Sequence, residues 1–290
     1  MGSRPHKDYS QYDPFDKDAF REAYVAAFKN VPRFNVGSIP DLVRVLRMME
    51  EDPDMTDLRW MAYLLATAFI ESSATVQVTR QSRDRQGHMV TRRVKVWRSF
   101  TPVEEGGHGR GKDYGRPVKL RGLEDGSIRV TEWDGDQWLI SPAGSARPLR
   151  ADLVRGADWK VKASPAYVSE EGDERFYFGR GFVQLTWWNN YLATSLMLGR
   201  GLDLLLDPDL VDEPEIAYKI ISTGMRTGKG FANGRTFSQF FHGDHTDYVH
   251  ARSMVNGKSH QFEIGAIAQR FEKVLFASRQ KAAAFAGATG

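Results

Sequence analysis

The sequence predicts a mainly α protein of the α+β class, a two-lobed domain in which two helical blocks flank a β-rich insert. Three observations predict it. Apolar residues recur at steps of three and four through the first 74 residues, and again from about Phe182 to the C-terminus. From Thr75 the period changes to two, with β-branched residues alternating with polar ones. Turn-forming clusters at Asp84–Gly87, Gly106–Gly115 and Asp134-Gly135 punctuate this middle stretch. The expected division is residues 1–74, a basic insert over 75–165, and 166–290.

Taken in order, Asp16 is a plausible N-cap for a helix through Phe20, Tyr24, Ala27 and Phe28. Ser38-Ile-Pro-Asp supplies a second cap with Pro40 in the first turn, followed by the stripe Leu42, Val43, Leu46 and Met49. Thr56 opens a third helix, which carries Leu58, Met61, Leu65, Ala68 and Phe69 inward and ends near Ser72-Ser73. Val76 and Val78 face Val90, Val94 and Val96 across a polar turn, which reads as a hairpin. Ile128–Trp133 and Gln137–Ile140 read as a second hairpin around Asp134-Gly135. A helix is expected to resume near Phe182, with Leu185, Tyr191 and Leu192 inward, and to stop at Gly199 and Gly201. Helices over Pro214–Met225 and Gln261–Phe285 complete the chain, and no internal repeat is present.

Composition narrows the function classes. The 290 residues suffice for a sizeable core, and 41% are apolar and 27% charged. No apolar run approaches the roughly 20 residues that span a bilayer, so no membrane insertion is expected. Without cysteine there is neither disulfide nor thiol chemistry, and the N-terminus lacks the apolar stretch of a signal peptide. The protein is therefore expected to be made in the cytoplasm, and to need release or dedicated export if its substrate lies outside. The net charge of +3 is unevenly spread: residues 1–74 hold 9 Lys/Arg against 12 Asp/Glu, and residues 75–125 hold 12 against 6. Such a basic section favours an anionic polymer, either nucleic acid or bacterial cell wall. No recognition-helix motif accompanies it, so nucleic acid is not the expected partner.

Among single residues, Glu71 carries the most information. It lies on the ridge Met61, Leu64, Ala68, Glu71, beside the inward face and at the negative end of its helix, a position that suits a proton donor. The other informative stretch is Phe176-Tyr-Phe-Gly-Arg-Gly-Phe-Val-Gln-Leu-Thr-Trp-Trp-Asn-Asn-Tyr191. It resembles the signature of glycoside hydrolase family 19, the chitinases and related phage-type endolysins of the lysozyme-like superfamily. Ala66-Thr-Ala-Phe-Ile-Glu-Ser resembles the helix carrying that family's catalytic acid. Leu206-Asp-Pro-Asp-Leu-Val and Arg252-Ser-Met-Val-Asn-Gly resemble two further segments, in the same order. Residues 120–165 have no counterpart.

The resemblance implies a lysozyme-like fold and an inverting glycosidase that needs no metal or other cofactor and acts as a monomer on a polysaccharide. It implies that Glu71 is the general acid and that Thr186 helps hold the attacking water. Gln184, Asn190, Tyr177, Asn256 and Arg252 would line the substrate site, with Arg180 structural. Inversion requires a second carboxylate as base, which in the family follows the acid by some tens of residues. Thr101-Pro-Val-Glu-Glu-Gly lies there, and the alignment picks Glu105 over Glu104, with Glu171 or Glu174 as the next candidates. Trp187, Trp188 and Tyr191 either pack in the core or stack on sugar. The basic insert favours peptidoglycan over uncharged chitin, and a non-catalytic wall-binding protein on the same scaffold is the reading from another class. His242, His245 and His250 match no standard metal-ligand spacing.

Overall fold

A computed structural model describes residues 8–10, 14–83, 86–124, 127–140, 172–255 and 257–279. It is a mainly helical α+β protein. The helices are α1 (Lys17–Phe28), α2 (Ile39–Glu51), α3 (Leu58–Glu71), α4 (Trp188–Met197), α5 (Asp203–Leu206), α6 (Pro214–Thr227), α7 (Phe237–Phe240) and α8 (Gln261–Ser278). The strands are β1 (Ala74–Arg83), β2 (Met89–Arg98), β3 (Val118–Gly122), β4 (Ile128–Thr131), β5 (Gln137–Ile140), β6 (Asp173–Arg175), β7 (Phe241–His242) and β8 (His245–Thr246). The described helices include none long and apolar enough to cross a membrane.

The chain divides into two compact units, one of residues 1–100, 240–251 and 260–290, the other of 101–239 and 252–259. The first is built on α3, whose residues from Leu58 to Ile70 are buried on every side except at Trp60. A one-sided stripe was expected there; instead α3 is enclosed by its unit, chiefly by α8. Tyr24 and Phe28 of α1, Phe69 of α3 and Phe271 of α8 interlock, with ring centroids 4.6 Å apart for Phe28–Phe271 and 5.6 Å for Phe28–Phe69. Offset and edge-on rings of this kind add to the burial term.

Caps set the helix starts. Asp16 accepts hydrogen bonds from the Asp18 and Ala19 amides, as expected. Ser38 does not cap α2; its Oγ accepts from the Ser99 amide instead. Asp57, not Thr56, opens α3, accepting from the Arg59 amide at 2.8 Å. The same carboxylate pairs with the Arg59 guanidinium, which is 4% exposed and donates to the carbonyls of Gly243 and His245. The far end of α3 is fixed as firmly. Buried Ser72 bonds back to the Ala68 carbonyl and accepts from the Phe100 amide, and Ser73 Oγ lies 2.8 Å from Ser99 Oγ. These bonds tie the helix end that carries Glu71 to the chain leaving β2.

The first expected hairpin is present as β1–β2, antiparallel with Val76 opposite Val96 and Val78 opposite Val94. The second is β4–β5, with Ile128 opposite Ile140. It belongs to a four-stranded antiparallel sheet ordered β5-β4-β3-β6 in the second unit, whereas β1–β2 belongs to the first. The stretch expected to start a helix at Phe182 forms a tight turn instead. Arg180 and Leu185 pair through both their backbone bonds, and Gln184 and Trp187 take positive φ of 52° and 70°, which stops a helix until Trp188. The C-terminal helix ends at Ser278 rather than Phe285, because Arg279 turns extended and bridges to Phe15.

Arg59 is buried and its charge is answered by Asp57, so breaking the pair leaves an uncompensated ion. Asp57→Ala is expected to lower stability by about 3 kcal/mol or more, read as a fall in the denaturant midpoint. Asp57→Asn, which keeps the cap but removes the charge, should lose most of that stability too; a negligible loss in Asp57→Asn would show that the cap alone matters.

Candidate active site

The signature segment is organised around Arg180. Its side chain is 4% exposed, and its guanidinium donates to the Phe176 carbonyl at 2.9 Å and lies 3.7 Å from the Phe178 ring centroid. It pairs with Asp209 at 2.8 Å and lies 3.5–3.6 Å from Glu104 and Asp212. Tyr191 Oη donates to the Phe178 carbonyl at 2.7 Å. The role implied for Arg180, structural rather than catalytic, agrees with this enclosure. Asp209 and Asp212 come from Leu206-Asp-Pro-Asp-Leu-Val and the residue after it, which gives that segment a physical role.

Glu104 and Glu105 point to different sides, as neighbours on extended backbone do. Glu104 is the exposed one, 3.2 Å from His108 Nε2 and 3.5 Å from Arg180. Glu105 is half-buried and lies against the signature. Its amide donates to the Gly179 carbonyl at 2.7 Å, and its Oε2 accepts from the Gly179 amide at 3.3 Å. Oε1 accepts from the Tyr114 hydroxyl at 2.8 Å. The Gly106–Gly115 loop folds back so that Tyr114 reaches Glu105. Burial together with the Glu105 carboxylate pushes the Tyr114 hydroxyl up to about 12, so it stays protonated and remains a donor. Gln184 completes the group, its Nε2 donating to the Val103 carbonyl at 2.9 Å. A Cβ built on Gly179 would stand 2.9 Å from Gln184 Oε1 and 3.2 Å from Glu105 Cβ, so only glycine lets these three meet.

The remaining sequence-chosen residues fall into three groups. Thr186 and Asn190 adjoin the turn at the start of α4, with Asn190 Nδ2 donating to the Thr186 carbonyl at 2.9 Å. Tyr177 and Arg252 are each 1% exposed. The Tyr177 hydroxyl donates to the Leu205 carbonyl and Arg252 Nε to the Ser259 carbonyl, so both serve packing inside the second unit. Asn256 and Glu171 lie outside the described residues. Glu174 is exposed on β6. Glu71, half-buried as the last residue of α3, belongs to the first unit, whereas Glu105, Gln184, Thr186 and Asn190 belong to the second. Of the aromatic cluster, Trp188 and Tyr191 are core and Trp187 is 42% exposed.

Tyr114, Asp209 and Asp212 went unread in the sequence as partners of this site. Asp209 and Asp212 were within reach of inference, since a buried arginine in the signature needs carboxylates. Glu132, Asp134 and Asp136 at the β4–β5 turn bring carboxylate oxygens within 4.8 Å of one another, the one such grouping among the described residues, and two of the three are exposed. His250 bonds to Asp247 at 2.7 Å and serves its own turn.

Burial pushes the Asp212 carboxyl up to about 6, against the pull of the Gly181 amide and of Arg180; Glu104 and Asp209 push it further. A carboxyl raised in the folded state binds its proton more tightly there than when unfolded. Its contribution is thus fully present below the unfolded value of about 4 and is lost as pH rises through about 6. The protein should therefore lose stability relative to Asp212→Asn between pH 4 and 6. Denaturant unfolding of both proteins across that range measures the difference; a constant gap would show that Asp212 titrates normally.

The comparisons with known proteins are short in reach. No family model matches the chain, and no solved structure matches it. One curated relative, an inactive endochitinase of Arabidopsis thaliana, is 46% identical over 57 residues. The match covers 19% of this chain and 19% of that protein, so it spans under a fifth of the relative's length. Part of this chain is thus similar to part of a chitinase-related protein.

Proposed function

We propose that this protein is a glycoside hydrolase that cuts β-1,4 links in an N-acetylhexosamine polymer by an inverting mechanism. The observation that carries the reading is the Glu105 carboxylate, held between the Tyr114 hydroxyl and the Gly179 amide, with Gln184 also against Gly179. A carboxylate held by two donors has a defined direction and keeps lone pairs free to take a proton from water. In this reading Glu105 is the base. Water attacks the anomeric carbon and gives its proton to Glu105, while the bond to the leaving oxygen breaks and that oxygen takes a proton from Glu71. In this reading Thr186 is a holder of the attacking water and Gln184 a partner for the sugar. Tyr114 is a positioning residue.

Peptidoglycan is favoured over chitin by the β1–β2 hairpin, which exposes Arg80, Arg83, Arg92, Arg93 and Lys95 and carries no acidic residue on either strand. The second reading, a non-catalytic wall-binding protein, is favoured by the relative, an inactive endochitinase.

Glu71→Gln keeps the shape of the side chain but cannot donate a proton, and should lower turnover on a natural polymer by about 10²–10⁴-fold with the fold unchanged. Glu105→Ala should fail likewise and regain partial turnover with azide, giving an inverted glycosyl azide, whereas Glu104→Ala should keep its activity. Product analysis by mass spectrometry, with peptidoglycan and chitin oligomers digested side by side, reads both. Absence of turnover by the intact protein on either polymer, together with retained binding, would favour the non-catalytic reading. If the basic hairpin guides the protein to an anionic wall, activity on peptidoglycan should fall steeply between about 50 and 500 mM salt while activity on a neutral oligomer changes little.

A further inference from the structure

The second unit holds a pocket of about 460 Å³ whose lining, apart from Asn190 and the signature tryptophans, has no role above. It lies among the β4–β5 hairpin, Asp113 of the glycine-rich loop and the start of α4, and its size falls in the range of small-molecule sites. Four tryptophans line it: Trp133 and Trp138 from the hairpin, and Trp187 and Trp188 from the signature. Trp133 and Trp187 are 44% and 42% exposed, yet neither hangs free. The Arg116 guanidinium lies 3.7 Å from the centroid of the Trp133 ring. Trp187 meets Tyr114 edge-on at 5.9 Å. Trp188 Nε1 donates to Glu132, which ties the hairpin to α4. Large rings held in place but left open suit a ligand with a flat apolar face.

The polar lining narrows the ligand further. Asp113, Glu132 and Asp134 contribute carboxylates, and Asn190 and Asn233 contribute amides. These accept from hydroxyl, amide N–H or ammonium groups, which a hexosamine ring carries around its rim while its C–H face is apolar. The lining includes no Lys or Arg, and the one nearby cation, Arg116, is shared between Trp133 and Asp113 at 3.5 Å. Three carboxylates against one guanidinium leave the pocket negative, so a ring bearing its own carboxylate meets repulsion.

We propose that this pocket is a sugar subsite that takes an uncharged or amine-bearing hexosamine ring and rejects a carboxylate-bearing one such as a muramic acid. The β4–β5 hairpin, in the part of the chain without a family counterpart, supplies half of it. The proposal rests on the glycan reading above for its ligand class, but it needs no catalysis. It also has a consequence for an alternating polymer: only every second ring fits, so only one of the two kinds of link is presented for cleavage.

The test uses the intact protein carrying Glu71→Gln, with tryptophan fluorescence titrated against three tetrasaccharides. These are an N-acetylglucosamine oligomer, its fully de-N-acetylated form, and a peptidoglycan tetrasaccharide with free lactyl carboxylates. The first two should bind more tightly than the third, in which only every second ring can enter the pocket. Trp133→Ala should weaken them by about tenfold or more, with Trp133→Phe recovering part of the loss. Asp134→Lys should shift preference toward carboxylate-bearing rings, and its melting temperature checks the fold. On peptidoglycan, the active protein should release new reducing ends of a single sugar type. Unchanged binding by both Trp133→Ala and Asp134→Lys would overturn the subsite, even if the protein cleaves glycans. Tight, Trp133-dependent binding by a protein that cleaves nothing would support the subsite and sink the hydrolase reading instead.

Discussion

The arrangement of the second unit depends on one buried charge. A guanidinium enclosed by protein is tolerable only when its charge is answered, and Arg180 draws that answer from four directions, though its Nε makes no hydrogen bond among the described residues. The Phe176 carbonyl, the Phe178 ring and the Asp209 and Asp212 carboxylates surround it, with Glu104 at its edge. Because these partners come from residues 104, 176–178 and 209–212, satisfying Arg180 fixes where three separate stretches of chain must run. Gly179 then meets Glu105, and Gln184 closes on both. Glu104 and Glu105, adjacent in sequence, are divided by the same constraint: one leans toward the structural arginine, the other takes the Tyr114 hydroxyl.

Much of this was legible in the sequence. Helical and alternating periods located most of the helices, and the strands of both hairpins pair where alternation put them. The misplacements have physical causes. Ser38 is a good capping residue, but its hydroxyl serves the Ser99 amide, a partner 61 residues away that no local pattern reveals. Phe182 and Leu185 fit a helical spacing, yet the backbone pairing of Arg180 with Leu185 takes precedence over apolar spacing. α3 was read as one-sided because its sequence shows a stripe; burial on the other faces depends on α8, which lies some two hundred residues further on.

The site was legible only in part, for a related reason. Residue types that announce chemistry, such as Glu105, Gln184 and Asn190, can be chosen from a motif. The tyrosine that orients a carboxylate cannot, because Tyr114 is one aromatic in a glycine-rich loop and only the folding-back of that loop gives it meaning. The reverse error is also instructive. Tyr177 belongs to the motif and invites a role against substrate, but its hydroxyl is consumed by the Leu205 carbonyl. A motif preserves packing residues as faithfully as reactive ones, and burial tells them apart.

The two glycines that flank Arg180 are alike in the sequence and unlike in what forbids their replacement. Gly181 takes a φ of +78°, and its missing side chain would press on Val211 at 3.0 Å, so backbone and space both exclude other residues. Gly179 has an ordinary φ; what excludes a side chain there is the crowd formed by Gln184 and Glu105. A library randomised at the two positions would therefore select by different logic. At 181 nothing nearby could compensate. At 179 an alanine could be rescued by trimming the neighbours, and the trimmed neighbours would be those that aim the carboxylate. On the hydrolase reading, position 179 is thus where such a lineage could trade the aimed carboxylate for bulk and keep its fold.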